Sequence, residues 1–296
     1  MARLSETAPN VPDGYSSTFL PITVELPDAT ATDLTVELDY PHFTILFRPD
    51  RRLAAATAVN IDGAQLLDLA RGDDWHFDAR IDESDQAGPD IYARNDLDRG
   101  HLVRRRDPVW GTPDVASVAN QATFAFTNAA PQAALFNQGP ELWSGLEDHV
   151  LEYAGAHAHK ISVFTGPIFA ADDPTYRGLQ IPRRFWKIAT WVYVDSEDAV
   201  DMPRLAAAAF VLDQTEQLEV VLAAERSVAV PPSLGPFLTY QVPVSDVEAT
   251  TGLEFGGLVA VDVFLRSPHV RENSECIQDW ALLASGEEIV IRSLRP

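Results

Sequence analysis

Apolar and polar positions change rhythm several times along the chain, and each change marks an element. Residues 1–37 read as an arm broken by Pro9, Pro12, Pro21 and Pro27, in which only Thr18 to Leu26 alternates like a strand. Phe43-Thr44-Ile45-Leu46-Phe47 predicts a strand, Pro49-Asp50 turns the chain, and Leu53 to Ile61 predicts the partner strand. Gln65 to Ala70 fits a short strand or one helical turn. Residues 71–100, rich in Asp, Gly and Arg, predict a long irregular segment of the kind that often carries function. His101 to Val103 is expected to leave that segment as a short strand. Asp114 to Thr127 reads as a helix running into a strand, with Phe124 and Phe126 as core aromatics. Pro140 stands at a first helical position, and Glu141 to Tyr153 puts Leu142, Leu146 and Val150 on one stripe. Ile161 to Thr165 predicts a strand ended by Gly166-Pro167, Phe185 to Val194 another, and Arg204 to Leu212 has mixed strand and helix character. Ser245 as cap and Glu248 three residues on predict a capping box. Glu288 to Ile291 returns to strand. No repeat is visible, and the pattern predicts one α+β domain with an arm at each end.

Composition supports a sizeable core, since 46% of the 296 residues are hydrophobic. The single cysteine, Cys276, excludes an intrachain disulfide and has no catalytic surroundings in sequence. The first residues lack an apolar signal-peptide core and no apolar run approaches membrane-spanning length, so a cytoplasmic location in the producing cell and no membrane partner are expected. Charge changes the picture most. Against 22 Lys and Arg stand 44 Asp and Glu, a net charge of −22, whereas affinity for nucleic acid by charge alone needs a basic protein. The plain reading of the acid excess is solubility. Yet Arg94, Arg99, Arg104, Arg105 and Arg106 crowd one stretch, where a local basic cleft with a divalent cation could attract a phosphodiester to an acidic body.

That stretch also carries the candidate chemistry. Asp98-Arg99-Gly100-His101 is followed by Thr127-Asn128-Ala129-Ala130-Pro131-Gln132, by Phe136-Asn137-Gln138-Gly139, and by Trp143 to Glu147. His101 suits a general base, because an imidazole titrates near neutral pH; a structural histidine is the plain alternative. Arg99 could clamp a phosphate bidentately or merely pair with Asp98, and Gly100 would let backbone and substrate approach closely. Asn137 offers an oxygen to a hard cation such as Mg²⁺, and Glu147, a turn after Trp143, could hold one of its waters. Asn128 could orient the site or the phosphate; each Asn on its own better suits a turn or cap, and only their order after Asp98 to His101 raises them. His157-Ala158-His159 has no carboxylate or cysteine partner and reads as a polar loop, and Gly256-Gly257 lacks the context of a phosphate loop.

The order of these segments resembles the DNA/RNA non-specific endonucleases of the ββα-metal (His-Me finger) superfamily. Phe164-Thr165-Gly166-Pro167, Ile181 to Lys187 and Thr251 to Phe255 resemble later family segments. The resemblance covers Leu38 to Leu265 and so divides the chain into an arm at 1–37, an endonuclease domain at 38–265 and a C-terminal extension at 266–296 packed on it. It implies a central antiparallel sheet flanked by helices, with a ββα-metal motif holding the site. It implies His101 as general base, Asn137 as the one direct protein ligand of Mg²⁺ or Mn²⁺, Glu147 as holder of metal-bound water, and Arg99 and Asn128 as assistants at the phosphate. Asp98 and Gly100 would be structural, and Arg104 and Arg105 would bind substrate. The implied reaction cuts DNA and RNA to 5′-phosphate and 3′-hydroxyl ends with little sequence preference, as suits a site reading backbone. The alternative is a nuclease fold that has lost its chemistry and binds nucleic acid or a partner. Two departures stand out. The Asn137-to-Trp143 gap is two residues longer than in well-known members, with Pro140 inside it. Asp73 stands where counting from Trp75 places a family arginine, leaving Arg71, ahead of Arg80, as the candidate. Homodimers occur in the family. A nuclease in its own cytoplasm needs restraint, by an inhibitor, by delivery through a specialised secretion or injection system, or by activation on demand.

Overall fold

The structure, a computed structural model, describes residues 14–29, 35–138, 147, 154, 159–194, 202–225, 238–264 and 280–283. Its frame, among the described residues, is an eight-stranded sheet, antiparallel at every pairing, in the order β1 (Val36–Tyr40), β2 (Phe43–Arg48), β3 (Leu53–Asp62), β6 (Lys160–Ile168), β9 (Arg184–Val194), β10 (Pro203–Asp213), β11 (Leu238–Val242) and β12 (Ala281–Leu282). A separate small hairpin pairs β7 (Thr175–Tyr176) with β8 (Leu179–Gln180). The class is α+β, as the hydrophobic rhythm predicts. Among the described residues, no helix is long and apolar enough to cross a membrane.

Both faces of the sheet are covered, and period-2 alternation sorts its side chains between two cores. On β10, Ala206, Ala208, Phe210 and Leu212 join one core, while Ala207, Ala209 and Val211 join the other. On β9, Phe185, Ala189 and Trp191 face the first core, and Trp186 and Ile188 the second. This double burial explains the mixed character of Arg204 to Leu212. A continuous small-residue run gives no alternation of polarity, and the whole segment is strand. The second core is closed by residues 14–29, through Leu20 and Val24, and by the helix Val244–Thr251. Thr18 to Leu26 is therefore not a strand but an irregular wrap, tied down where Ser16 N–H donates to Asn60 Oδ1 at 2.7 Å.

Several local expectations change for identifiable reasons. β6 does not stop at Gly166-Pro167. Its pairing with β3 reaches only as far as Thr165, so the missing Pro167 N–H lies beyond that ladder, while pairing with β9 continues to Ile168. A Cβ at Gly166 would lie 2.3 Å from the Ala55 carbonyl, so glycine there serves close packing. The helix at 244 is not opened by a capping box. Pro243 is its N-cap, and Glu248 instead accepts from Phe255 N–H at 2.7 Å, past the other end. Of the helix expected over Glu141 to Tyr153, Glu147 is helical, as is Ala154 just beyond it. The rest of that helix, Pro140, Cys276, His157-Ala158 and the Glu288 to Ile291 strand lie outside the described residues.

On the first face sits a separate two-stranded ladder, β4 (Leu97–His101) against β5 (Ala129–Ala133). β4 ends at His101, so the motif forms the strand itself and does not precede it. Between the two runs the helix Pro113–Ala122, capped by the Thr112 side chain, and after β5 comes a single helical turn and a half, Ala134–Gln138. Buried Gln214 fastens the ladder to the sheet. Its Nε2 donates to the Pro131 carbonyl at 3.1 Å and the Pro182 carbonyl at 2.7 Å, and its Oε1 accepts from Ala133 N–H at 2.8 Å. Gln214→Leu keeps the volume and leaves three buried backbone groups unmet. It should destabilise the chain by roughly 3 kcal/mol, read as a lower urea midpoint, because each orphaned group costs about 1–3 kcal/mol before relaxation.

Candidate active site

β4 delivers the first functional groups. Strand alternation places Arg99 and His101 on the same side, and the chain beyond them is pinned by Asn128. The Asn128 carboxamide is fully buried: Oδ1 accepts from Val103 N–H, and Nδ2 donates to the Val103 and Thr123 carbonyls, all at 2.9 Å. Its backbone carbonyl also accepts from Leu102 N–H at 3.0 Å. Every polar atom of that side chain is thus spent holding the turn after His101. Asn128 holds that turn from within and is not among the residues lining the cleft, so the expected contact with phosphate has no geometry here.

Gly100 serves a similar internal purpose. A Cβ on it would fall 2.1 Å from Gln132 Oε1. The Gln132 side chain across the ladder, not an approaching substrate, is what requires glycine.

A cleft of about 600 Å³ opens beside the ladder. Arg71, Asp98, Arg99, His101, Arg104, Arg105, Asn137 and Glu147 all line it, which brings together every singled-out site residue except Asn128 and Gly100. Arg80, the other upstream candidate, is held elsewhere. It bonds Asp78 at 2.7 Å and lies over the Tyr40 ring, where Tyr40 also bonds Asp78 and Thr127. Arg71 is the upstream arginine that reaches the cleft.

The His101 ring packs against Trp75, with centroids 4.8 Å apart, and edge-on to Phe124 at 5.2 Å. Trp75 is brought there because His76 bridges to Phe124 and Phe126 through backbone hydrogen bonds of 3.1 and 2.9 Å. Burial, and then the guanidiniums of Arg71, Arg105 and Arg99, push the imidazole down to about 3, so it stands neutral at any ordinary pH. Its Nε2 is buried and has no hydrogen-bond partner among the described residues. Arg99 lies over the Trp75 ring at 5.3 Å and 4.0 Å from Asp73, not paired with Asp98. The Asp98 carboxylate instead accepts from Asn137 Nδ2 at 2.9 Å and Gln138 Nε2 at 2.8 Å.

The floor of the cleft is a buried charge cluster. Glu147 Oε1 lies 3.6 Å from Lys187 Nζ, and Oε2 lies 3.7 Å from Arg104 Nε, both beyond hydrogen-bond length. Burial raises Glu147 to about 7 despite the pull of Lys187 and Arg104, with neighbouring Asp107 adding to the rise. Asp107, likewise buried, is raised to about 6. Lys187 comes from the middle of the sheet. It is 1% exposed and in register with Thr165, to whose hydroxyl it donates at 3.1 Å.

The arginine run divides by burial. Arg105 donates to the Leu69 carbonyl at 3.0 Å and Asn120 Oδ1 at 3.1 Å, and Arg104 belongs to the Glu147 cluster. Both line the cleft as part of its wall, so their expected use as plain substrate contacts is limited by internal ties. Arg106 is the exposed member. Lys187, Asp107 and Trp75 join the site without a role expected from sequence. The available signal was Lys187 itself, a charge at an inward position of the apolar run Phe185-Trp186-Lys187-Ile188.

Fold and cleft together define an α+β protein with an arginine-lined cleft beside a histidine. Residues 25–262 match the model of the DNA/RNA non-specific endonucleases, and the chain belongs to that family. A Sinorhizobium fredii (strain NBRC 101917 / NGR234) protein, "Uncharacterized protein y4fB", is 39% identical over 264 residues, which cover 82% of this chain and 39% of that protein. The chain thus spans well under half the length of that relative. The fold is similar, with a TM-score of 0.52 and 20% identity, to a chain in the "Crystal structure of the EndoG/EndoGI complex: Mechanism of EndoG inhibition"; the match covers 74% of this chain and 84% of the other.

The packing of Gly100 yields a direct test. Gly100→Ala should lower stability by about 1–3 kcal/mol through overpacking, measured by urea unfolding. Gln132→Ala added to it should recover most of that loss, since the Gln132 side chain is the obstacle and neither of its amide atoms has a hydrogen bond among the described residues.

Proposed function

We propose that the chain is a divalent-metal-dependent nuclease that hydrolyses the phosphodiester backbone of DNA and RNA, with the β4–β5 ladder and the following helical segments acting as a ββα-metal motif. The observation that carries this reading is the convergence of His101, Asn137 and Glu147 on one arginine-lined cleft, in a chain of the endonuclease family. The donor set fits a hard cation. Asn137 supplies a neutral amide oxygen, and Glu147 Oε1 is buried without a hydrogen-bond partner among the described residues. Such a set suits Mg²⁺, or Mn²⁺ in its place, because Mg²⁺ keeps several of its waters. Asn137 would hold the ion directly and Glu147 would anchor its hydration shell. Bound there, the ion would supply Lewis-acid stabilisation of charge developing on the phosphate and leaving oxygen.

The chain's own residues would do the rest. Arg99, with Arg71, would clamp the scissile phosphate, and His101 Nε2 would take the proton of the attacking water. The low imidazole pKa keeps that base unprotonated before substrate arrives. An incoming phosphate offsets the same guanidiniums that depress it, so base strength would rise as the substrate binds. The products would carry 5′-phosphate and 3′-hydroxyl ends. A cleft that offers guanidinium groups to phosphates reads backbone, which supports action on both nucleic acids without sequence preference. Restraint by a protein inhibitor is part of the proposal. It draws on the structural relative, which is described in a complex named for EndoG inhibition.

Incubation of the purified chain with supercoiled plasmid and with RNA, in Mg²⁺ and in EDTA, tests the reading. Both substrates should be degraded only with metal, and His101→Ala should slow cleavage by about 10²–10⁴-fold. Intact substrate that is nonetheless bound would instead support a silenced module for nucleic acid or a partner.

Protonation of Glu147 gives a second test. A folded-state pKa raised to about 7 means the carboxyl gains its proton as pH falls through that value, and the proton competes with the ion. Mn²⁺ affinity of the metal-free chain, measured calorimetrically, should therefore fall as pH drops from about 8 to 6, and Glu147→Gln should flatten the dependence.

A further inference from the structure

An ionised carboxylate only accepts hydrogen bonds, whereas a carboxamide has a donating end and an accepting end. A carboxylate beside an asparagine therefore decides which way the amide faces. Asp98 Oδ2 accepts from Asn137 Nδ2 at 2.9 Å, which turns Asn137 Oδ1 away from Asp98. The same oxygen accepts from Gln138 Nε2 at 2.8 Å, which holds the carboxylate toward the end of the helix Ala134–Gln138. Asp98 itself is placed by strand pairing, opposite Gln132 in the β4–β5 ladder. Asn137 is only half-buried and sits on a five-residue helix, so neither packing nor a long helix fixes its amide.

We propose that Asp98 is the positioning residue for Asn137, its carboxylate locking the amide so that Oδ1 is presented to the cleft as the oxygen ligand of a hard divalent cation. The proposal rests on the reading of Asn137 as that ligand. It differs from a role for Asp98 as a charge acting on the ion. A charge matters whatever stands at position 137, but a flip lock matters only while residue 137 has two unlike ends.

The test is a double-mutant cycle read by Mn²⁺ binding to the metal-free full chain, by calorimetry or by the electron-spin resonance of free Mn²⁺, with no nucleic acid present. Asp98→Asn can donate as well as accept, so it should release the lock and weaken Mn²⁺ binding on the order of tenfold. In Asn137→Asp both ends accept and orientation is irrelevant. There Asp98→Asn should cost nothing, and should tighten binding by removing the repulsion between neighbouring carboxylates. Asp98→Ala carries the same comparison if the Asn variant melts early. An equal loss in both backgrounds, or no loss in either, would overturn the proposal. Asn137→Ala separates the two layers. Wild-type Mn²⁺ affinity in that variant would remove the ligand reading and the lock with it, whereas a large loss there with an unchanged Asp98→Asn would sink the lock alone.

Discussion

The site hangs on one short antiparallel ladder, β4 against β5, and on the buried hydrogen bonds that keep it against the sheet. Two strands alone are marginal in water, and this pair cannot pair further because β5 carries Pro131 and ends at once in a helical turn. Gln214 supplies the missing partners from the sheet side, and Asn128 supplies them at the far end, beyond His101. Both do it with buried amides whose donors and acceptors are all used. That is the arrangement in which a polar network adds rigidity, since an unmet group in so dry a place would cost more than the bonds return.

Electrostatics follows from the same burial. A body of net charge −22 should repel a polyanion, but screening limits surface charges to a range of about 8 Å at physiological ionic strength. Inside the cleft Arg71, Arg99, Arg104, Arg105 and Arg106, with Lys187 beside Glu147, outnumber the carboxyl groups of Asp73, Asp98 and Glu147. The effect of the cations is visible on the groups between them: His101, depressed first by burial, is pushed further down by Arg71, Arg105 and Arg99, and Lys187 and Arg104 keep Glu147 from rising as far as burial alone would raise it. An acidic protein can thus carry a cationic cleft, and the net charge of the sequence says little about what the cleft receives.

The strands with aromatic and β-branched rhythm, Phe43 to Phe47 and Phe185 to Val194, were legible because their composition has one reading. So was the convergence on one cleft of His101, Asn137 and Glu147, because their segments keep the family's order. β10 was not, since four alanines in the doubly buried run Ala206 to Ala209 satisfy strand and helix alike. For Gly100, expected to be structural, and Asn128, expected to orient the site or the phosphate, the partners were not legible. Their partners, Gln132 and the Val103 backbone, become neighbours only when β5 folds beside β4. The arginine run shows the same limit. Nothing in Arg104-Arg105-Arg106 tells which guanidinium meets Leu69 and Asn120 and which meets solvent.

The longer spacing between Asn137 and Trp143 looks, along the chain, like a threat to the site. In space it need not be one, because the three chemical groups are anchored independently. His101 is set by the ladder and the aromatic walls of Trp75 and Phe124; Asn137 bonds Asp98 of that ladder; Glu147 stands over Lys187, which belongs to the central sheet. The contacts of Asn137 with Asp98 and of Glu147 with Lys187 and Arg104 share no residue, so neither set depends on the number of residues between them. Had the two shared one helical register, two extra residues would turn one of them by about 200° away from the other at 100° per residue. Separate anchors make the cleft indifferent to the length of the connection, which is how the departure in spacing and the convergence in space can both hold.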